Sequence, residues 1–139
     1  MKYILILLAG LLYMQPAAAC KCLPLPALEN SSQLEGYSFI AHVKIAKIKK
    51  DGQIRVKVKE LFKGERRTLV FEPAKGTSCD LFIAKGEEWL LFGKMENGKM
   101  AVHACDRNME CRAKNTPPPE QGQQLLEKLR ELHGSGTRS

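Results

Sequence analysis

Aromatic residues are scarce in this chain, with one Trp, three Tyr and five Phe among 139 residues. Single-stranded nucleic acid is held largely by stacking bases on such rings, so that partner is not expected. No Cys-x-x-Cys pair and no Cys/His cluster has the spacing of a zinc site, so the chain needs no metal or other cofactor of its own. GxSxG, HExxH, a Walker loop and a Gly-rich dinucleotide turn are all missing. His42, His103 and His133 are scattered outside any catalytic motif. Enzymatic activity is therefore not expected. Acidic residues are also in deficit, 15 against 22 Lys and Arg, for a net charge of +7. A basic balance of this size suits acidic polysaccharide or other anionic surfaces as long-range partners, and equally suits solubility alone.

The first nineteen residues, MKYILILLAGLLYMQPAAA, read as an export signal. Lys2 gives a positive start, Ile4 to Leu12 an apolar run, and Ala17-x-Ala19 the small residues that signal peptidase cuts after. The run is too short for a confident membrane span, and no basic flank follows it. Cleavage would leave residues 20–139, a length suited to one compact domain. A secreted protein is expected, or a periplasmic one in a bacterium. Its five cysteines, Cys20, Cys22, Cys79, Cys105 and Cys111, all follow the cleavage site, so disulfides are expected with one cysteine over. Asn30-Ser31-Ser32 is a glycosylation sequon in a eukaryotic setting.

Along the chain, ALENSSQLEG suggests a short helix or turn. YSFIAHVKIAKI is strand-like, with Phe39, Ala41, Val43 and Ile45 alternating against Ser38, Ile40, His42 and Lys44. Asp51-Gly52 marks a turn, and Ile54 to Leu61 gives the cleanest strand, with Ile54, Val56 and Val58 inward. Its other face carries Arg55, Lys57 and Lys59, and Lys63, Arg66 and Arg67 follow, a set that would suit polyanion. Thr68 to Phe71 forms a short strand before Pro73. Trp89 to Gly93 and Met100 to Cys105 flank the hairpin signal Asn97-Gly98. Short strands at such spacing imply a small antiparallel barrel or sandwich. Thr116 to Pro119 is a spacer. Leu125, Leu126, Leu129 and Leu132 then make the apolar stripe of a helix that packs on the domain and ends at Gly134. The expected organisation is a signal at 1–19, a domain at 20–115, spacer and helix at 116–133, and a disordered tail at 134–139.

The run CKCLP directly after a signal resembles the start of the tissue inhibitors of metalloproteinases, in the netrin-like family. IRVKVKELFKG, LVFEPAKGTSC and EEWLLFGKMENGKMAVHAC resemble later segments of that family in the same order, so the resemblance covers about Cys20 to Cys105. It implies a mostly β fold, a five-stranded OB-type antiparallel barrel with flanking helices. It also implies disulfides Cys20–Cys79 and Cys22–Cys105, leaving Cys111 unpaired. Each bridge would contribute roughly 4 kcal/mol in the chain-entropy model. In the family the α-amino group and carbonyl oxygen of the first cysteine chelate the catalytic zinc of a metalloendopeptidase. The next side chain, here Lys21, enters a specificity pocket. A monomeric protease inhibitor follows from this resemblance, with Cys20 as the residue that meets the target's zinc.

Two other readings use the same residues. Ala17-Ala18-Ala19-Cys20 can be taken as a lipobox, which would acylate Cys20 and anchor the protein to a membrane by lipid. Alternatively the domain is a non-inhibitory module that holds matrix polysaccharide through Arg55, Lys57, Lys59, Lys63, Arg66 and Arg67.

Overall fold

Period-two alternation in Ile54-Arg55-Val56-Lys57 puts β-branched residues on one face and cations on the other, the pattern of a half-buried strand. In the computed structural model, which describes residues 22–65, 70–73, 81–113 and 117–136, that segment is β2 (Ile54–Lys63). It follows a 3₁₀ turn (Ser31–Leu34) and β1 (Phe39–Ile48), and precedes β3 (Val70–Pro73), β4 (Glu88–Glu96), β5 (Lys99–Val102), β6 (Met109–Arg112) and the helix α1 (Glu120–Gly136). Asn97 and Gly98 have positive φ of 50° and 75°, as the tight turn between β4 and β5 requires.

β1 runs antiparallel to both β2 and β4, β2 to β3, and β4 to β5. β3 lies parallel to β5. The six strands form one sheet in the order β1–β2–β3–β5–β4–β6, with β1 also paired to β4. β3 is joined by only two register pairs to β2 and three to β5, and the sheet is not closed into the expected barrel there. The mostly β fold with a flanking C-terminal helix is therefore what the chain adopts. Two further features differ from expectation: one pairing is parallel, and a sixth strand, β6, is present.

β6 exists because β4 has edge to spare. β1 takes one edge of β4 over Phe39↔Gly93 to Lys44↔Glu88. The other edge is shared, with β5 on Gly93 to Glu96 and β6 on Glu88 to Leu90. Residues 103–108 leave that edge as an excursion between the two. Cys105, expected in a strand, therefore sits in a turn. Pro73, expected to follow a strand, is the last residue of β3, a position where its missing N–H is tolerated.

Two apolar clusters build the core. Phe39, Ala41, Val43, Ile45, Val56, Trp89 and Leu91 fill the first, on the inner face. Ile40, Leu90, Phe92, Cys111, Leu126 and Leu129 fill the second, between the outer face and α1. β1 is consequently buried on both faces over its first half, which its sequence alternation does not show. The helix stripe docks as its spacing implies, with Leu126 and Leu129 buried and Leu125 and Leu132 packed beside them. Gly122 makes the approach possible: a Cβ there would strike the Glu110 carbonyl oxygen and lie 3.2 Å from the Cys111 Cα. Gly134 does not end α1, which runs to Gly136. A glycine near a helix end costs only about 1 kcal/mol against alanine, so it weakens the last turn without stopping it.

Candidate functional site: the anchored N-terminal segment

Residues 22–27 are exposed, lie outside any helix or strand and contain a Leu-Pro-Leu-Pro run. Leu23 is 84% exposed and Leu25 46%. Two leucines and two prolines turned to water are held at both ends. Cys22 is disulfide-bonded to Cys105, 83 positions along the sequence, with Cα atoms 5.1 Å apart. Pro26 accepts a hydrogen bond through its carbonyl from Arg107 Nη1 at 2.8 Å. Beyond it, Gln33 Nε2 donates to the Ala27 carbonyl at 2.9 Å, and Gln33 Oε1 accepts from the N–H groups of Glu29 and Asn30. Leu28 then enters the core under α1. Proline-fixed φ angles stiffen the span between these anchors.

The gripping element is the 103–108 excursion, and its own shape is fixed from within. Asn108 Oδ1 accepts from the Phe92 N–H of β4 at 2.7 Å, where a strand residue would otherwise bond. Its Nδ2 donates to the His103 carbonyl at 2.7 Å, closing the base of the loop. Asp106 Oδ1 accepts from Lys94 Nζ at 2.8 Å and from the Tyr37 hydroxyl at 3.2 Å. Lys94 also lies 5.1 Å from the centre of the Tyr37 ring. Burial, then the Asp106 charge, raise the Tyr37 pKa, and the bond to Asp106 raises that of Lys94. Both therefore stay protonated as donors at neutral pH. His103 Nε2 lies 2.7 Å from Glu96 Oε1 at the rim.

Cys20, Lys21, Cys79, Arg66 and Arg67 lie outside the described residues, so the expected Cys20–Cys79 bridge does too. Cys22–Cys105 is formed, as the resemblance implied. Cys111 is a free, fully buried thiol whose pKa burial pushes up to about 11. It is held among apolar side chains, with Sγ 3.8 Å from the Gly122 carbonyl oxygen. It behaves as a small hydrophobe rather than a nucleophile.

The expected polyanion contacts separate. Arg55 and Lys57 are exposed. Lys59 is bound to Glu88 at 2.8 Å, and Lys63 donates to the carbonyls of Leu34 and Glu35 at 3.1 and 3.2 Å. His42 is buried beside Glu88 at 3.1 Å, with its pKa lowered by burial. His133 stands edge-on to the Phe62 ring. Sequence reasoning missed Arg107, Asn108 and Asp106, which hold the anchor. The only local sign was the density of turn-forming residues in Asp106-Arg107-Asn108.

Among the described residues no helix is long and apolar enough to cross a membrane. No protein-family model matches the chain, and no curated protein matches it.

Proposed function

We propose that the protein inhibits zinc metalloendopeptidases in the manner of the tissue inhibitors it resembles, through an N-terminus beginning at Cys20. The observation that carries this reading is the anchor: an exposed segment clamped at Cys22 and Pro26 onto the 103–108 loop. The mostly β fold with its flanking C-terminal helix fits this reading as well, although such a fold serves many functions.

The chemistry follows from the position of the clamp. A free α-amino group has a pKa of about 8, so a substantial neutral fraction exists at neutral pH to donate its lone pair to zinc. A catalytic zinc keeps one coordination position open for water. The amine and the carbonyl oxygen of Cys20 would occupy that position as a chelate, displacing the water the protease needs. A free terminus would lose much of the gain to ordering, whereas a segment already fixed two residues away has little left to lose. In chain-entropy terms the Cys22–Cys105 bridge contributes about 4–5 kcal/mol to the stability of the fold that carries the segment. Lys21 would enter the pocket next to the zinc, and a long cation selects deep or acidic pockets over shallow apolar ones. Leu23 and Leu25 offer apolar contacts further along the cleft.

The test is an inhibition assay over a panel of zinc endopeptidases. Protein beginning at Cys20 is expected to inhibit at least one member, and one extra Ala before Cys20 to abolish inhibition with the melting temperature unchanged. The added residue turns the amine into an amide, whose nitrogen is no zinc ligand. Equal inhibition by both forms contradicts terminal chelation, and inhibition by neither contradicts the inhibitor reading.

A further inference from the structure

The β1–β2 hairpin places like charges directly opposite one another. Lys44 pairs with Lys57 and Lys47 with Arg55 in the register, and all four are exposed. Opposed like charges on one sheet face are destabilising, so two consecutive such rungs are a cost the fold carries. A bulge creates the second rung. Ala46 has no partner across β2, and the register resumes at Lys47↔Arg55 after Ile45↔Val56. Without that extra residue, strict alternation would aim Lys47 to the same side as the buried Ile45. The bulge instead turns it outward beside Lys44, the re-aiming that bulges perform near functional sites.

The quartet is also left uncompensated. Among the described side chains none of the four has a carboxylate within ion-pair distance. Glu88 lies across from Lys44 on β4, yet its two oxygens are taken by Lys59 and His42. Asp51, in the hairpin turn, accepts the Gln53 N–H. The neighbouring cations of β2 are thus neutralised or tied, while these four are not. Their charges form a patch two rungs deep, with Cβ atoms about 5 Å apart across the strands and about 7 Å along them.

We infer that this face binds a sulfated polysaccharide, with Lys44, Lys47, Arg55 and Lys57 each meeting a sulfate or carboxylate. A flat strand face with four close cations suits a linear chain carrying anions at short intervals. Of the rings whose burial is described, Tyr37, Phe39, Trp89 and Phe92 are buried and Phe62 half-buried, while Phe82 is exposed in the loop before β4, so none is seen on this face to stack the bases of single-stranded nucleic acid. This inference is independent of the inhibitor reading and draws on a different residue set from the one suggested by the sequence: Lys44 and Lys47 join Arg55 and Lys57, Lys59 and Lys63 are left out, and Arg66 and Arg67 lie outside the described residues.

A heparin-derived octasaccharide is the probe, titrated calorimetrically into the full-length exported chain at physiological salt. Lys44→Gln/Lys57→Gln and Lys47→Gln/Arg55→Gln are each expected to weaken binding by roughly tenfold or more, and to flatten its salt dependence. Lys99→Gln/Lys128→Gln removes the same net charge elsewhere and is expected to change affinity less than about threefold. Thermal unfolding checks that every variant folds, the patch variants at or above the parent's melting temperature. The proposal is overturned if the control pair loses as much as the patch pairs, since net charge alone then governs binding. It is equally overturned if the patch pairs keep the parent's affinity, or if a single-stranded oligonucleotide of matched charge binds as tightly as the octasaccharide.

Discussion

The outer surface of the β1–β2–β4 sheet has a covered half and a bare half, and the two treat polar groups in opposite ways. Under α1, Ile40, Leu90 and Phe92 are buried, and Lys59, Glu60, Glu88 and Arg130 at the margin each meet a group of opposite charge. Arg130 of the helix grips Glu60 of β2 through both carboxylate oxygens, donating from Nε to Oε1 at 3.1 Å and from Nη2 to Oε2 at 2.7 Å, and Glu88 joins Lys59 to His42. Beyond the helix, on the same two strands, Lys44, Lys47, Arg55 and Lys57 face water with like opposite like. One strand pair thus carries both arrangements, and the helix marks the boundary. A side chain that loses water must find a partner, whereas an exposed one need not. The contrast shows that the bare half is tolerated by exposure, not stabilised by it.

Removing the cover should produce the largest effect. Leu129→Ala deletes a fully buried side chain between α1 and the sheet, and is expected to cost about 2–5 kcal/mol in denaturant unfolding. Gly122→Ala is next. Its methyl has no room against Glu110 and Cys111, so α1 must move off β6, at a cost of about 1–3 kcal/mol. Exposure of Cys111 to a thiol reagent in that variant, against protection in the parent, would locate the damage at the helix–sheet contact.

A pH effect of smaller size belongs to the same margin. Burial lowers the His42 pKa in the folded state despite the opposing pull of Glu88. The unfolded chain therefore takes up the proton first, and stability is expected to fall as pH drops below about 6.5, by at most about 1.4 kcal/mol per pH unit for one group. His42→Gln should remove that part of the slope between pH 7 and 5.5. Glu60 and Glu88, both with lowered pKa, act only at more acidic pH. The bare half gives the smallest effect and the opposite sign. Lys57→Glu converts a repelling rung into an attracting one, and should stabilise by about 0.2–1 kcal/mol, with the gain shrinking in high salt. Destabilisation by this change would mean that the two halves do not differ as described.

Features set by local chemistry were legible in the sequence. The alternation of β2, the Asn97-Gly98 turn and the leucine stripe of α1 depend on period and turn geometry, and the structure has all three. What stayed hidden depends on contacts between distant segments. Met109-Glu110-Cys111-Arg112 is too short and too polar to announce a strand, and is one because β4 offers an unpaired edge. Ile40 and His42 alternate with core residues and so read as outward, which they are, but α1 buries that side as well. The bulge at Ala46 leaves no mark in composition, and without it Lys47 cannot be placed beside Lys44. At the candidate site, the cysteine order suggested the Cys22–Cys105 bridge, while the bond from Arg107 to Pro26 joins residues 81 apart and has no local signature.

The claim that an anchored terminus presents a zinc-binding amine is tested most directly by blocking that amine alone. Cyanate at mildly acidic pH carbamylates the α-amino group, with its pKa of about 8, in preference to lysines near 10.4. Peptide mass spectrometry then verifies that Cys20 is modified and the lysines are not. The predicted result is that inhibition of a zinc endopeptidase disappears while the Cys22–Cys105 bridge and the melting temperature are retained. Undiminished inhibition by protein fully carbamylated at Cys20 would contradict it.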